Sequence, residues 1–103
     1  MEIINISEAA ATPNPHNVKM TKLHNSENVV MAQLVLEPGD EIVPHSAPVE
    51  AIFYCLEGVG QVTIGTEVQE VAAETMVKCP PNIDHGWANR SEKDLKILVV
   101  KIS

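Results

Sequence analysis

Along most of the chain, apolar residues gather in runs of four to eight, several with a polar residue at every second position, as in Gly60-Gln61-Val62-Thr63-Ile64. A two-residue period is that of a strand whose side chains alternate between two faces. Valine and isoleucine far outnumber leucine, and β-branched side chains suit a pleated surface better than a helix. The pattern predicts strands at Ile3 to Ile6, Val18 to Leu23, Val29 to Leu36, Glu41 to Val43 and Ala51 to Leu56. It predicts five more at Gly60 to Ile64, Glu67 to Val71, Thr75 to Cys79, Gly86 to Asn89 and Leu95 to Ile102. Ser7 to Thr12 reads as a helical turn capped by Ser7, and Pro13-Asn14-Pro15 stops any regular element after it. Pro38-Gly39, Gly58, Gly65-Thr66 and Pro80-Pro81-Asn82 supply the turns. About ten short strands indicate an all-β sandwich or small antiparallel barrel.

Length sets the scale. The 103 residues make one domain, residues 1–103, with room to bury about 65% of the extended chain's surface. This excludes a (β/α)₈ barrel and a full dinucleotide-binding domain. Fourteen acidic residues against seven basic ones give a net charge of -7, so phosphate backbones are repelled and nucleic acid is excluded as a partner. No apolar stretch approaches the length of a membrane span. The start, Met1-Glu2-Ile3-Ile4-Asn5, lacks the basic region and apolar run of a signal peptide, and Cys55 and Cys79 form no disulfide framework or zinc signature. The expected location is the cytoplasm, with both thiols reduced.

The stretch from Gly39 to Gly58 resembles the first motif of the cupins, G-x5-H-x-H-x3,4-E-x6-G. Gly39, His45 and Gly58 match, whereas Ala47 stands at the second histidine and Ala51 at the glutamate. The second motif, G-x5-P-x-G-x2-H-x3-N, is matched by Pro80, His85 and Asn89, with Glu74 and Asn82 at its two glycines. The resemblance covers Gly39 to Asn89 and implies a small antiparallel cupin barrel, or double-stranded β-helix. In that family three histidines and a glutamate hold a metal inside the barrel. Here it implies His45 and His85 as metal ligands for a divalent ion (Zn, Fe, Mn, Ni or Cu, undistinguished), with the other two donors replaced by alanine.

The remaining candidates follow from strand periodicity. Ala51, Phe53 and Cys55 share one face, which is the interior if the resemblance holds, and Trp87 shares a face with His85. The expected ligand pocket is therefore His45, Phe53, Cys55, His85 and Trp87. Glu50, one residue from Ala51, points the opposite way unless a bulge intervenes. Glu57, Glu74 and Asp84 read as rim or loop acids, Gln61 and Lys78 as solvent-facing, and Asn89 as a turn cap. His16 and His24 lie outside the motifs, and His16 reads as exposed. No serine nucleophile signature or phosphate-binding glycine loop is present.

The resulting expectation is a small-molecule-binding cupin that retains a divalent metal through two histidines. A metal-dependent oxygenase or isomerase acting on a small polar compound is one alternative. A non-enzymatic sensor or protein-interaction homodimer is another. The apolar outward positions Ile52 and Tyr54 point to a homodimer in any of these cases.

Overall fold

A computed structural model describes all 103 residues. It contains nine strands: β1 (Lys19–Asn25), β2 (Val29–Leu36), β3 (Glu41–His45), β4 (Glu50–Glu57), β5 (Val59–Ile64), β6 (Glu67–Ala72), β7 (Thr75–Cys79), β8 (His85–Ala88) and β9 (Leu95–Ile102). Nine of the ten expected strands are present, most shifted by a residue or two at an end. The strand expected at Ile3 to Ile6 is absent, and Ile3 and Ile4 are exposed. No neighbouring strand pairs with this segment, so its β-propensity is not realised. A single 3-10 turn, Ile6–Glu8, follows it. Its cap is Asn5 rather than Ser7: the Asn5 side-chain oxygen accepts from both the backbone N–H and the hydroxyl of Ser7.

The strands form two antiparallel sheets, of order β1-β2-β9-β4-β7 and β3-β8-β5-β6. They pack face to face as a small barrel, and no helix is long and apolar enough to cross a membrane. Residues on the inner face of the larger sheet stack in layers fixed by strand register. Leu36 lies opposite Leu95, Leu34 and Cys55 flank Ile97, Ala32 and Phe53 flank Val99, and Ala51 lies opposite Lys101. The Leu36–Leu95 end is completely buried. Gly60 permits this close packing, because a Cβ there would lie 2.6 Å from Leu95 Cδ2 and 3.1 Å from Trp87 Cε3. The opposite end, beyond Phe53 and Val99, is not filled by apolar side chains.

Candidate functional site

The site begins with an irregularity in β3. Ile42 is paired with Trp87 and His45 with His85, so three residues advance on β3 while two advance on β8. This is a β-bulge, and it reverses the in–out phase of the strand. Ile42 faces the core; regular alternation would have turned Pro44 inward and His45 outward. The bulge turns His45 inward instead. Gly86 makes it possible: a Cβ there would lie 2.6 Å from the Ile42 carbonyl oxygen and 2.9 Å from Pro44 N. Those are backbone atoms, and they cannot move aside as a flexible side chain would.

His45 and His85 consequently face each other, with ring centroids 4.6 Å apart. His45 Nδ1 lies 3.2 Å from the Val43 carbonyl and His85 Nδ1 3.3 Å from the Ile83 carbonyl. A carbonyl only accepts, so each Nδ1 donates a proton to the carbonyl beside it. His85 is buried, and burial holds its pKa below the usual histidine value, against the opposing pull of the Ile83 carbonyl and Asp84. Its Nδ1 also lies 3.5 Å from the Cys79 sulfur. The Cys79 thiol bonds to the Ile83 and Pro80 carbonyls, and burial, reinforced by Asp84, pushes its pKa up.

A third imidazole joins them from the N-terminal arm. Asn14 pins this arm: its amide donates to the Val18 and Thr12 carbonyls, and its oxygen accepts from the His16 backbone N–H. His16 is thereby held over the barrel mouth, half-buried, with its ring 4.7 Å from that of His45. Burial lowers its pKa, and the nearby His45 and Lys101 lower it further. Sequence reasoning expected His16 to be exposed. The fixed turn of Pro13-Asn14-Pro15 was the available signal, but its direction depends on tertiary packing.

The three histidines line a cavity of about 510 Å³ together with Phe53, Trp87 and Lys101, a size within the usual range for small-molecule sites. Its remaining walls are largely apolar, and no Asp or Glu lines it. The Phe53 ring meets the His85 ring at 5.5 Å and the Trp87 indole at 5.6 Å, the latter edge-on. Trp87 Nε1 is buried without a hydrogen-bond partner. Cε3, on the opposite long edge of the indole, faces Gly60 at the closed end, so the N–H edge is turned away from that end. A larger groove of about 680 Å³ runs along β6 and β7 but carries no imidazole.

Of the five expected pocket residues, His45, Phe53, His85 and Trp87 line this cavity. Cys55 does not. It lies at the closed end, its thiol 3.8 Å from the Glu57 and Gly58 carbonyls, and burial raises its pKa. The inward face of β4 does carry Cys55, but two strand residues beyond Phe53 place it a full layer away from the mouth. Glu50 pairs with Lys78 and Glu57 with Lys96, both on the outside. Asn89 is a buried loop anchor that donates to the Leu36 and Lys93 carbonyls and accepts from Ser91. Gln61 accepts from Arg90, and His24 is exposed.

No group of three or more His, Cys, Asp or Glu side chains is placed to hold a metal ion. The His45 ring lies between those of His16 and His85, tilted by 36° to the first and 56° to the second. The two positions that would complete the ligand set are Ala47 and Ala51, and neither has a donor. Of the four ligand positions in the family's motifs, this chain keeps a donor at two, His45 and His85.

Residues 32–101 match the family described as Cupin domain. A curated relative, the 5-nitrosalicylic acid 1,2-dioxygenase of Bradyrhizobium sp, is 26% identical over 66 residues, which are 64% of this chain and 32% of that protein. The matched part thus spans about a third of the curated relative's length. Among solved structures, a predicted oxalate decarboxylase from Thermotoga maritima superposes with a TM-score of 0.89 at 22% identity, covering 98% of both chains. A protein from Thermus thermophilus superposes with a TM-score of 0.85 at 27% identity, covering 99% of this chain and 97% of that one.

Proposed function

The chain belongs to the cupin family, and on that premise we propose that it binds a small organic molecule inside the barrel. The observation that carries this reading is the cavity itself, which combines three imidazoles and a cation with apolar walls. An apolar enclosure with a few polar groups at one end is the form that small-molecule sites take. The apolar wall of Phe53, Leu34 and Val99 takes the ligand's body, and His45, His85 and Lys101 meet its polar groups. His16, on the arm, closes over it. The proposed form is a homodimer, supported by the partly exposed apolar residues Tyr54, Met76 and Leu98, which neighbour one another on the outer face of the larger sheet.

The test is a thermal-shift screen of the full chain against small carboxylates, amides, alcohols, phenols and amines. Hits are then measured on Val99→Trp, which fills the cavity. Stabilisation by at least one compound, abolished in the filled variant, supports the reading. Compounds that stabilise both proteins equally, or none that stabilises either, would overturn it.

A second reading is metal-dependent oxygenase or isomerase chemistry, with His45 and His85 holding the ion. One observation favours it: both Nδ1 atoms are fixed by backbone carbonyls, an arrangement that directs Nε2 outward as in many ligating histidines. Elemental analysis after supplying Mn, Fe, Ni, Zn and Cu tests it. Stoichiometric metal, lost in both His45→Ala and His85→Ala, would establish that reading, and protein without metal would exclude it.

A further inference from the structure

The cavity's charge has a sign that the protein as a whole does not share. The chain carries a net charge of -7, yet no carboxylate lines the cavity and one ammonium does, that of Lys101. On β9 the side chains of Leu95, Ile97 and Val99 are buried in the core, and strand alternation places Lys101 next on the same inward face. Neither of the protein's two ion pairs, Lys78–Glu50 and Lys96–Glu57, uses it.

Its cross-strand partner is Ala51. The position whose counterpart in the cupin motif is an acid therefore bears a methyl group here, with a cation directly across the ladder. Glu50, the nearest acid along β4, is turned outward to Lys78. One unpartnered donor and three imidazoles stand beside Lys101. The indole N–H of Trp87 is buried and unpartnered, with its opposite edge against the closed end. The three imidazoles hold the same space.

A lysine in an otherwise largely apolar cavity, with no acid lining it, selects for a ligand that carries negative charge. We propose that the ligand of this cavity is a small organic carboxylate, its charged end at Lys101 and its apolar body against Phe53 and Val99. This inference rests on the small-molecule reading above and specifies its ligand. The carboxylate takes the negative charge that a glutamate at position 51 would have supplied. The cavity's apolar walls exclude inorganic anions as the best occupants, because these leave the Phe53 and Val99 surfaces unfilled. They likewise disfavour small dianions without an apolar body.

Calorimetric titration of the full chain with four probes tests the proposal: benzoate, its neutral isostere benzamide, the cation benzylamine and inorganic phosphate. Benzoate is expected to bind about tenfold or more tightly than benzamide, since a hydrogen bond to a charged group adds at least that much. Benzylamine and phosphate are expected to bind more weakly still. Lys101→Met is expected to erase the preference for benzoate while leaving benzamide binding in place, and Lys101→Arg to keep it. The retained benzamide binding shows that Lys101→Met is folded. Equal or tighter binding of benzamide or benzylamine than of benzoate would overturn the carboxylate assignment and leave the small-molecule reading standing. Failure of all four probes to bind at millimolar concentration would overturn the assignment too, and the broader screen then decides the small-molecule reading separately. A benzoate preference that survives Lys101→Met would also contradict it.

Discussion

The rings of His16, on the N-terminal arm, and His45, at the end of β3, lie 4.7 Å apart. This contact joins an irregular segment to the barrel and brings a third imidazole to a site whose family motif supplies only two here. His16→Ala removes a wall of the cavity without touching the core. It is expected to cost no more than about 1 kcal/mol of stability, as for most half-exposed positions. Ligand affinity is expected to fall severalfold in the same variant. Denaturant unfolding together with calorimetry checks both, and a large loss of stability with unchanged affinity would show that His16 is purely structural.

Gly86 is the residue on which the bulge depends. Gly86→Ala drives a methyl group into the Ile42 carbonyl and the Pro44 backbone, and is expected to destabilise by about 3 kcal/mol, the upper part of the usual cost of overpacking. Gly39→Ala provides the contrast. Nothing lies within 4 Å of a Cβ at Gly39, but its φ is +89°, so backbone strain alone is expected to cost about 1 kcal/mol. Urea midpoints of the two variants should differ in that order.

Stability is expected to fall on acidification. The pKa values of His85 and His16 are held below the ordinary histidine value of 6.5 in the folded chain, chiefly by burial. The unfolded chain therefore binds protons first as the pH drops, and linkage makes unfolding progressively easier. The stabilising effect is complete above that ordinary value and is lost as the pH falls through the lower folded values. Melting temperatures measured across this range check the sign, and His85→Asn is expected to flatten the dependence. A melting temperature that rises on acidification through this window would contradict the assignment.

The two thiols are expected to be inert in the folded protein. Cys55 and Cys79 are both buried, and burial raises both pKa values, which suppresses the reactive thiolate. A disulfide-exchange reagent should titrate both only after unfolding. Rapid reaction of Cys79 in the native state would point to an opening at the β7–β8 end, and of Cys55 to one at the closed end of the barrel.

Tyr54 and Met76 are cross-strand partners on the outer face of the larger sheet, and Met76 is more than half exposed. Tyr54→Lys combined with Met76→Glu is expected to convert a dimer to a monomer in sedimentation. A monomeric wild type would contradict the proposed dimer.

The strand pattern was readable because β-branched runs and turn residues are local signals, and period two grouped the faces of β4 and β8, while the family resemblance indicated which face is inward. The phase of β3 was not readable in that way. Strict alternation from Ile42 sends His45 outward, and only the pairing of His45 with His85 shows that the strand bulges. Cys55 shared the expected face but not the expected depth, since a strand face extends over several layers of the barrel. Lys101 and His16 were missed as site residues for different reasons. Lys101 sits in an apolar strand at a position where a lysine ordinarily reaches solvent, and its inward role depends on the register with Ala51. His16 depends on the direction of a loop, which Asn14 fixes through hydrogen bonds that leave no periodic trace.

Trp87 is the chain's only tryptophan and lines the proposed binding cavity, so its indole N–H gives a single, unambiguous resonance from the cavity wall. The most direct measurement is that resonance in a nitrogen-15 spectrum during titration with benzoate. Saturable movement that disappears in the cavity-filling variant Val99→Trp, with the Trp87 signal assigned, is the predicted result. A resonance that stays fixed while benzoate binds would place the ligand elsewhere and contradict the account.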